Sequence, residues 1–245
     1  MERGDRAALA TFYATGALDA GASLTLGEAT AQHARVRRLA AGDRIRLTDG
    51  AGTQAIADIV RLTKGALQVE VRETHPVPAP PPLCVFVPIA DRDRMLWLAE
   101  KCAELSVTAW HPVRFRRSAS VSPRGEGDAF RRKVEARMVA ALEQSAGAWL
   151  PRVEAERSLD EVLAWRDVNS TSRYVLERES RLLVHERPSG PADVMLGPEG
   201  GIEPSELECI VNGHGWRPVS LGETTLRFET AGVVAVGILR GLLGG

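Results

Sequence analysis

The 245-residue chain predicts an α/β protein in two parts: a small antiparallel β-barrel, then a larger α/β domain with a mostly parallel sheet. Three observations carry this. Residues 44–71 alternate apolar and polar positions between turn signals. The proline-rich stretch His75-Pro76-Val77-Pro78-Ala79-Pro80-Pro81-Pro82 then interrupts the pattern. Beyond it, short apolar runs alternate with helix-length segments to the end of the chain.

In the first part, Arg44-Ile45-Arg46-Leu47-Thr48 alternates like a half-buried strand, and Asp49-Gly50-Ala51-Gly52 makes a turn. Gln54 to Val60 pairs back, and a third strand, Leu67 to Val71, follows the Lys64-Gly65 turn. Asp-Gly-Ala-Gly lies between hairpin strands rather than in a βα unit, so it reads as a turn and not as a dinucleotide fingerprint. Five prolines within residues 76–82 form a stiff, extended connector. The expected domains are therefore 1–75, a linker at 76–82, and 83–245.

The second part opens with Leu83 to Pro88, a buried strand, and a helix from Arg92 to Leu105. Trp110 to Val113 is the next strand, and Phe130 to Ala146 the second long helix. Tyr174 to Leu176 and Leu182 to Val184 read as two short strands. Asp193-Val194-Met195-Leu196 is another, followed by a helix with Pro204 at its first position and acids in its first turn. Pro218 to Leu221 is the last strand and Ala231 to Leu243 the last helix.

Two strand-to-helix loops in this part carry glycines: Leu196-Gly197-Pro198-Glu199-Gly200-Gly201, and Ser220-Leu221-Gly222 running on to Leu226-Arg227-Phe228-Glu229-Thr230-Ala231. Glycines there permit backbone conformations and approaches that a Cβ forbids. Loops at the carboxyl ends of strands in an open α/β sheet are where ligands bind. A single such loop reads as a tight turn. Two in tandem, tipped by Glu199, Arg227 and Glu229, point to one small ligand. No Gly-x-Gly-x-x-Gly lies between a strand and a helix, which argues against a nicotinamide enzyme.

Net charge is −1, yet the charge is unevenly spread. Arg114, Arg116, Arg117, Arg124, Arg131, Arg132, Lys133 and Arg137 form a basic segment that only Glu126, Asp128 and Glu135 oppose. Arg35, Arg37 and Arg38 form a second cluster. Arginine grips phosphates bidentately and stacks on bases, so both segments are candidate RNA contacts; a solvated helix face is the alternative. Cys84, Cys102 and Cys209 are isolated and the five histidines scattered, so no metal site is expected. Met1 to Arg6 carries charges of both signs without a signal-peptide core, and the apolar run from Ala231 to Leu239 is too short to cross a bilayer. These readings predict a soluble, cytoplasmic protein.

Gly-Pro-Glu-Gly-Gly at 197–201, Ser-Leu-Gly at 220–222 and Leu-Arg-x-Glu-Thr-Ala at 226–231 resemble the C-terminal signature of the RsmE-type 16S rRNA (uracil-N3)-methyltransferases, of the SPOUT superfamily of trefoil-knotted enzymes. Lys101-Cys102-Ala103-Glu104-Leu105, Arg117-Ser118, Glu143-Gln144-Ser145 with Pro151, and His33 to Asp43 are similar to further family segments in the same order. The resemblance covers nearly the whole chain. Ser106 stands where the family has glycine, Gly147 where it tends to have arginine, and Phe228 in place of threonine; Glu223-Thr224-Thr225 also departs from the family's run.

The resemblance implies a PUA-like, OB-related RNA-binding barrel before a SPOUT α/β trefoil-knot domain. It implies S-adenosylmethionine as cofactor, no metal, and a homodimer acting on 16S rRNA within the small ribosomal subunit. His185, Leu196, Gly197, Pro198, Glu199, Gly200, Gly201, Leu221, Gly222 and Leu226 are the candidate cofactor residues. A uridine N3 holds a proton at neutral pH. Arg227 is therefore the candidate to stabilise the anionic base, and Glu229 to accept the proton or orient Arg227. The competing role for Arg227 and Glu229 is a structural ion pair at the start of the last helix. Arg35, Arg37, Arg38, Lys101, Arg116 and Arg117 are the candidate RNA contacts, with Glu104 and Gln144 beside them. A related methyltransferase of another RNA position, and a non-catalytic RNA-binding or ribosome-assembly factor of the same fold, are the alternatives.

Overall fold

The computed structural model describes residues 9–120, 124–165 and 171–244; the Met1 to Arg6 segment lies outside them. The chain divides into two compact units, one of residues up to Ala79 with Leu142–Leu150, the other of Pro80–Ala141 with the chain from Pro151 onward.

The first unit holds β1 (Thr11–Tyr13), β2 (Ser23–Leu26), α1 (Glu28–Val36), β3 (Arg44–Thr48), β4 (Thr53–Leu62) and β5 (Leu67–Pro76). The sheet order is β1-β3-β4-β5-β2. Alternation turns Ile45 and Leu47, then Ala55, Ala57 and Ile59, then Leu67, Val69 and Val71 onto one buried face with Phe12. Register shifts at Ile56/Ala57 and Ile59/Arg61 mark irregularities that bend and twist the β4–β5 ribbon. One pair departs from the antiparallel expectation: β1 lies parallel to β3. β5 also runs past Val71 to Pro76, because β4 begins early enough to pair Thr53 with Pro76 and Gln54 with His75. The Asp49 turn is held by its own carboxylate, which accepts from the amides of Ala51 (2.7 Å) and Thr53 (2.9 Å).

Segment Leu142–Leu150 completes this unit. Glu143 Oε1 accepts from the Tyr13 amide at 2.8 Å, and the Gln54 amide group donates to the carbonyl of Ala146 at 2.8 Å. Trp149 Nε1 donates to the Val77 carbonyl at 3.0 Å. A Cβ on Gly52 would stand 2.3 Å from Trp149 Cζ2, so only glycine admits the indole there.

The second unit contains β6 (Leu83–Pro88), α2 (Arg92–Glu104), β7 (Ala109–Arg114), α3 (Gly127–Ser145, its last turn in the first unit), β8 (Arg152–Val153), β9 (Arg157–Ser158) and α4 (Leu159–Trp165). β10 (Ser172–Leu182), β11 (Ala192–Met195), α5 (Pro204–Glu208), β12 (Arg217–Ser220) and α6 (Phe228–Leu243) follow. The sheet order is β12-β10-β11-β6-β7-β8, with β9 also on β7, and every pairing is parallel. All six residues of β6 and all four of β11 are buried, the continuous pattern of strands covered on both faces.

β6 is where the chain reverses its direction of travel across the sheet. β7 and β8 lie on one side of it, β11 and β10 on the other. Such a switch leaves a crevice beyond the carboxyl ends of the two strands that flank it. Into this crevice run the start of α2, after β6, and the first glycine loop, after β11.

Two elements near the glycine loops differ from the sequence reading. Tyr174–Leu176 and Leu182–Val184 are not separate strands. β10 runs unbroken from Ser172 to Leu182, with a register shift against β12 between Leu176 and Arg181, and Leu183–His185 is a 3-10 turn. The last helix begins at Phe228 rather than Ala231, with the Arg227 carbonyl accepting from the Ala231 amide at 2.8 Å.

Candidate active site

The first glycine loop is braced from both ends. The Gly201 amide donates to the Pro198 carbonyl at 2.8 Å, closing a turn in which Gly201 takes φ +74°, a conformation that favours glycine. Glu203 and Glu206 then cap each other's backbone amides at the start of α5, with Pro204 in the first helical position. Arg116 and Arg117, in the 3-10 turn Arg116–Ser120, reach the same loop. The Arg116 amide donates to Glu206 Oε1 at 3.0 Å, and Arg117 Nη1 to the Gly200 carbonyl at 2.9 Å. Two arginines expected on RNA therefore also hold the loop in shape.

The second loop is fixed by Ser220. Its hydroxyl accepts from the Gly222 amide and donates to the Gly222 carbonyl, both at 3.1 Å. Gly222 sits at φ +132° with open space where a Cβ would be, so conformation rather than crowding calls for glycine. Between the loops, the irregular stretch of β10 carries Glu177 and Arg178.

These three segments enclose a cavity of about 470 Å³, within the range of small-molecule sites. Leu196, Gly197, Pro198, Glu199 and Gly201 wall one side, and Leu226, Arg227 and Phe228 another. A second cavity of about 150 Å³, lined by Leu221 and Gly222, adjoins it along Leu176, Glu177, Arg178, Thr225, Leu226 and Ala231. Together they form one continuous site with a largely apolar lining.

Most expected cofactor residues thus meet at one place. Gly200 stands at the outer edge of its loop, shaping it through Arg117. His185 is the exception. It ends the exposed turn after β10 and lines neither cavity, because β10 continues to Leu182 and carries the chain past the site.

The two expected catalytic residues point into different spaces. Arg227, exposed at the helix start, lines the larger cavity. Glu229 is 8% exposed and lines a third cavity, of about 270 Å³, with Asp93, Arg94, Trp97 and Thr230. Among the described residues no Arg227–Glu229 ion pair forms. The cation nearest Glu229 is Arg94, whose Nε lies 4.0 Å from Glu229 Oε1 while its Nη1 pairs with Glu199. Glu229 Oε2 is buried with no hydrogen-bond partner among the described residues. Arg94 is the residue that sequence reasoning missed. It lies in the first turn of α2, capped by the Asp91 carboxylate, and nothing in its local pattern marks it as functional.

The remaining candidates lie apart from these cavities. Lys101 is held between Glu100 (2.8 Å) and Glu104 (2.7 Å), and the hydrogen bonds it donates to those carboxylates raise its pKa. In the first unit, Arg35 donates to the Lys64 carbonyl, Arg37 to His33, and Arg38 adopts φ +59°; all three are exposed. Phe228 is buried and lines the larger cavity. Gln144 is exposed in the first unit. The described residues contain no cluster of His, Cys, Asp and Glu suited to a metal ion, and burial pushes the Cys102 thiol well above its ordinary pKa.

Comparison with known proteins agrees with this geometry. Residues 77–240 match the RNA methyltransferase domain family, and residues 26–72 the RNA methyltransferase PUA domain. A ribosomal RNA small subunit methyltransferase E from Synechocystis is 29% identical over 225 residues, covering 85% of this chain and 69% of the relative. The crystal structure of a ribosomal RNA small subunit methyltransferase E from Neisseria gonorrhoeae bound to S-adenosyl methionine is 28% identical. It superposes with a TM-score of 0.83 over 96% of this chain and 98% of the other. A probable rRNA-methyltransferase from Porphyromonas gingivalis, 29% identical, gives 0.79 over 96% and 99%. With the match extending over more than half of its length, this chain belongs to the RNA methyltransferase domain family.

Proposed function

We propose that this protein methylates N3 of one uridine in 16S rRNA, within the small ribosomal subunit, using S-adenosylmethionine. The carrying observation is the pair of glycine loops that wall one continuous cavity beyond the carboxyl ends of a parallel sheet. Its size and its largely apolar lining suit a nucleoside joined to an amino acid. Leu196, Gly197, Pro198, Glu199, Gly201, Leu221, Gly222 and Leu226 would hold the cofactor, with Gly200 setting the loop. When bound, S-adenosylmethionine supplies a methyl group already activated on a sulfonium, so the protein's task is to aim it and prepare the acceptor.

Acceptor preparation falls to the start of α6. Glu229 has a carboxylate oxygen with nothing to accept from, and it takes the uridine N3 proton. Arg227, two residues earlier, faces the larger cavity and offsets the charge left on the base from the cofactor side. Residues 1–75 act as the PUA-like RNA-binding barrel, where exposed Arg35, Arg37 and Arg38 meet phosphates. Residues 76–82 connect it to the methyltransferase domain, 83–245. Arg116 and Arg117 keep exposed guanidinium groups beside the site and contribute to RNA binding while bracing the loop. Lys101, already shared by two carboxylates, contributes less. The protein works in the cytoplasm, without a metal, as a homodimer. Its exposed Val234 on α6, with Leu182 and Val184 on the segment packed against that helix, supplies an apolar face for a second copy.

The test is incubation with isotopically labelled S-adenosylmethionine and small subunits lacking the modification, followed by nucleoside mass spectrometry. Label appears as 3-methyluridine at one site. Glu229→Gln lowers the rate by about 100-fold or more while calorimetry shows cofactor affinity unchanged. Label on a ribose or another base overturns the uridine assignment. Absence of cofactor binding favours a non-catalytic RNA-binding factor.

A further inference from the structure

We propose that the 270 Å³ cavity between the first turns of α2 and α6 is the acceptor-base subsite, receiving a single unstacked uracil against Trp97 with its N3–H directed at Glu229. The inference rests on the methyl-transfer reading above and places the acceptor within it.

Glu229 gives the strongest argument. It is more than nine-tenths buried, yet Oε2 has no hydrogen-bond partner among the described residues. A buried polar atom left unsatisfied is costly. Oε2 is itself covered although the residue lines the cavity, so the carboxylate meets a ligand there by turning this oxygen outward, which relieves that cost. An ionised carboxylate only accepts, so the ligand must bring a donor. Uracil does so at N3. Cytosine presents a lone pair at the same position and would meet the carboxylate with repulsion, so the group that takes the proton also selects the base.

Trp97 gives the second argument. It lies on α2 in the wall of the same cavity and remains 44% exposed, a large aromatic face left open beside a carboxylate. Aromatic faces of this kind hold unstacked bases irrespective of their edges, and leave recognition to neighbouring polar groups. Those neighbours are Thr230, whose hydroxyl can donate to a uracil carbonyl, together with Asp93 and Arg94.

Arg94 gives the third. It lines both this cavity and the 470 Å³ cavity, so donor and acceptor sites share one wall. Its guanidinium ties Glu199 of the glycine loop to Glu229 of α6, fixing the two sites relative to each other. Transfer between bound reactants needs such adjacency. At about 270 Å³ the space is smaller than a usual small-molecule site, in keeping with one base whose sugar and phosphate remain outside. In the step itself the N3–H bond breaks and its proton passes to Glu229, while the nitrogen lone pair forms the new bond to the methyl carbon. That carbon's bond to the sulfonium sulfur breaks as this happens, the electron pair staying on sulfur and the neutral thioether remaining in the 470 Å³ cavity.

The test compares the full-length wild type with Trp97→Ala and Trp97→Phe. S-adenosylmethionine affinity is measured by calorimetry, kcat/KM on unmodified small subunits by label transfer, and mass by sedimentation. Trp97→Ala should lower kcat/KM about tenfold or more, with cofactor affinity and mass unchanged, and Trp97→Phe should recover most of the loss. An oligonucleotide carrying the target uridine should quench tryptophan emission in the wild type, and Trp97→Phe should remove that part of the quenching. Unchanged kcat/KM in Trp97→Ala overturns the proposal. So does a loss that follows cofactor affinity or a change in mass. A wild type that binds the cofactor yet methylates no RNA overturns the underlying reading first, and this subsite with it.

Discussion

Ser106 shows how one residue records a backbone demand. It follows the end of α2 with φ +56°, while the Ser106 and Val107 amides donate back to the carbonyls of Ala103 and Cys102. This is the left-handed position that usually ends a helix in glycine. A side chain there costs about 1–2 kcal/mol, partly offset because glycine loses more freedom on folding. Ser106→Gly should therefore stabilise the protein by about 1 kcal/mol, read as a raised Tm. Arg240 bonds the carbonyls of Leu105 and Ser106 at the same helix end, an arrangement that keeps the serine tolerable. Glu229 makes the opposite point. Its place in a motif was legible, but its surroundings were not: the expected neighbour, Arg227, faces one cavity, and Arg94 stands beside Glu229 in another.

At the level of elements, the strands were read best where burial is continuous or strictly alternating. β6 and β3 fall at the residues expected from their patterns, Leu83–Pro88 and Arg44–Thr48. β10 was broken in two because Glu177-Arg178-Glu179-Ser180 looks like a polar loop. In the fold those residues form the irregular stretch of a continuous strand, and that irregularity brings Glu177 and Arg178 to the cavities. β1, β2 and α1 went unread. The strands are too short to show a period, and α1 buries only Ala31 and Ala34, whose small side chains leave a weak apolar stripe. Close packing of α2 on α6 depends on Gly232, where a Cβ would lie 2.8 Å from Leu98 Cδ1 and 2.9 Å from Leu196 Cδ1. Gly232→Val should cost about 1–3 kcal/mol by overpacking. Because Leu196 opens the glycine loop, cofactor affinity measured by calorimetry should fall with it.

For the whole molecule, the division of the chain is not a simple cut in sequence. Leu142–Leu150 belongs to the first unit, so a fragment ending at Ala79 lacks the Glu143 carboxylate that holds the Tyr13 amide and the indole that fills the space at Gly52. Fragment 1–79 should unfold at lower urea concentration than the same unit in the intact chain, and a peptide of residues 142–150 should restore part of the difference. Equal midpoints would show that the segment is dispensable. The sequence by itself determined the two kinds of sheet, the glycine loops and the start of α5 at Pro204, because periodicity and turn chemistry are written in adjacent residues. Only the tertiary structure decided that Arg94 bridges Glu199 and Glu229, that Trp97 and Glu229 share a cavity, and that residues 142–150 complete the first unit. The first of these relations exists because the parallel crossovers set β11 beside β6, and no local pattern records which distant ends such crossovers bring together.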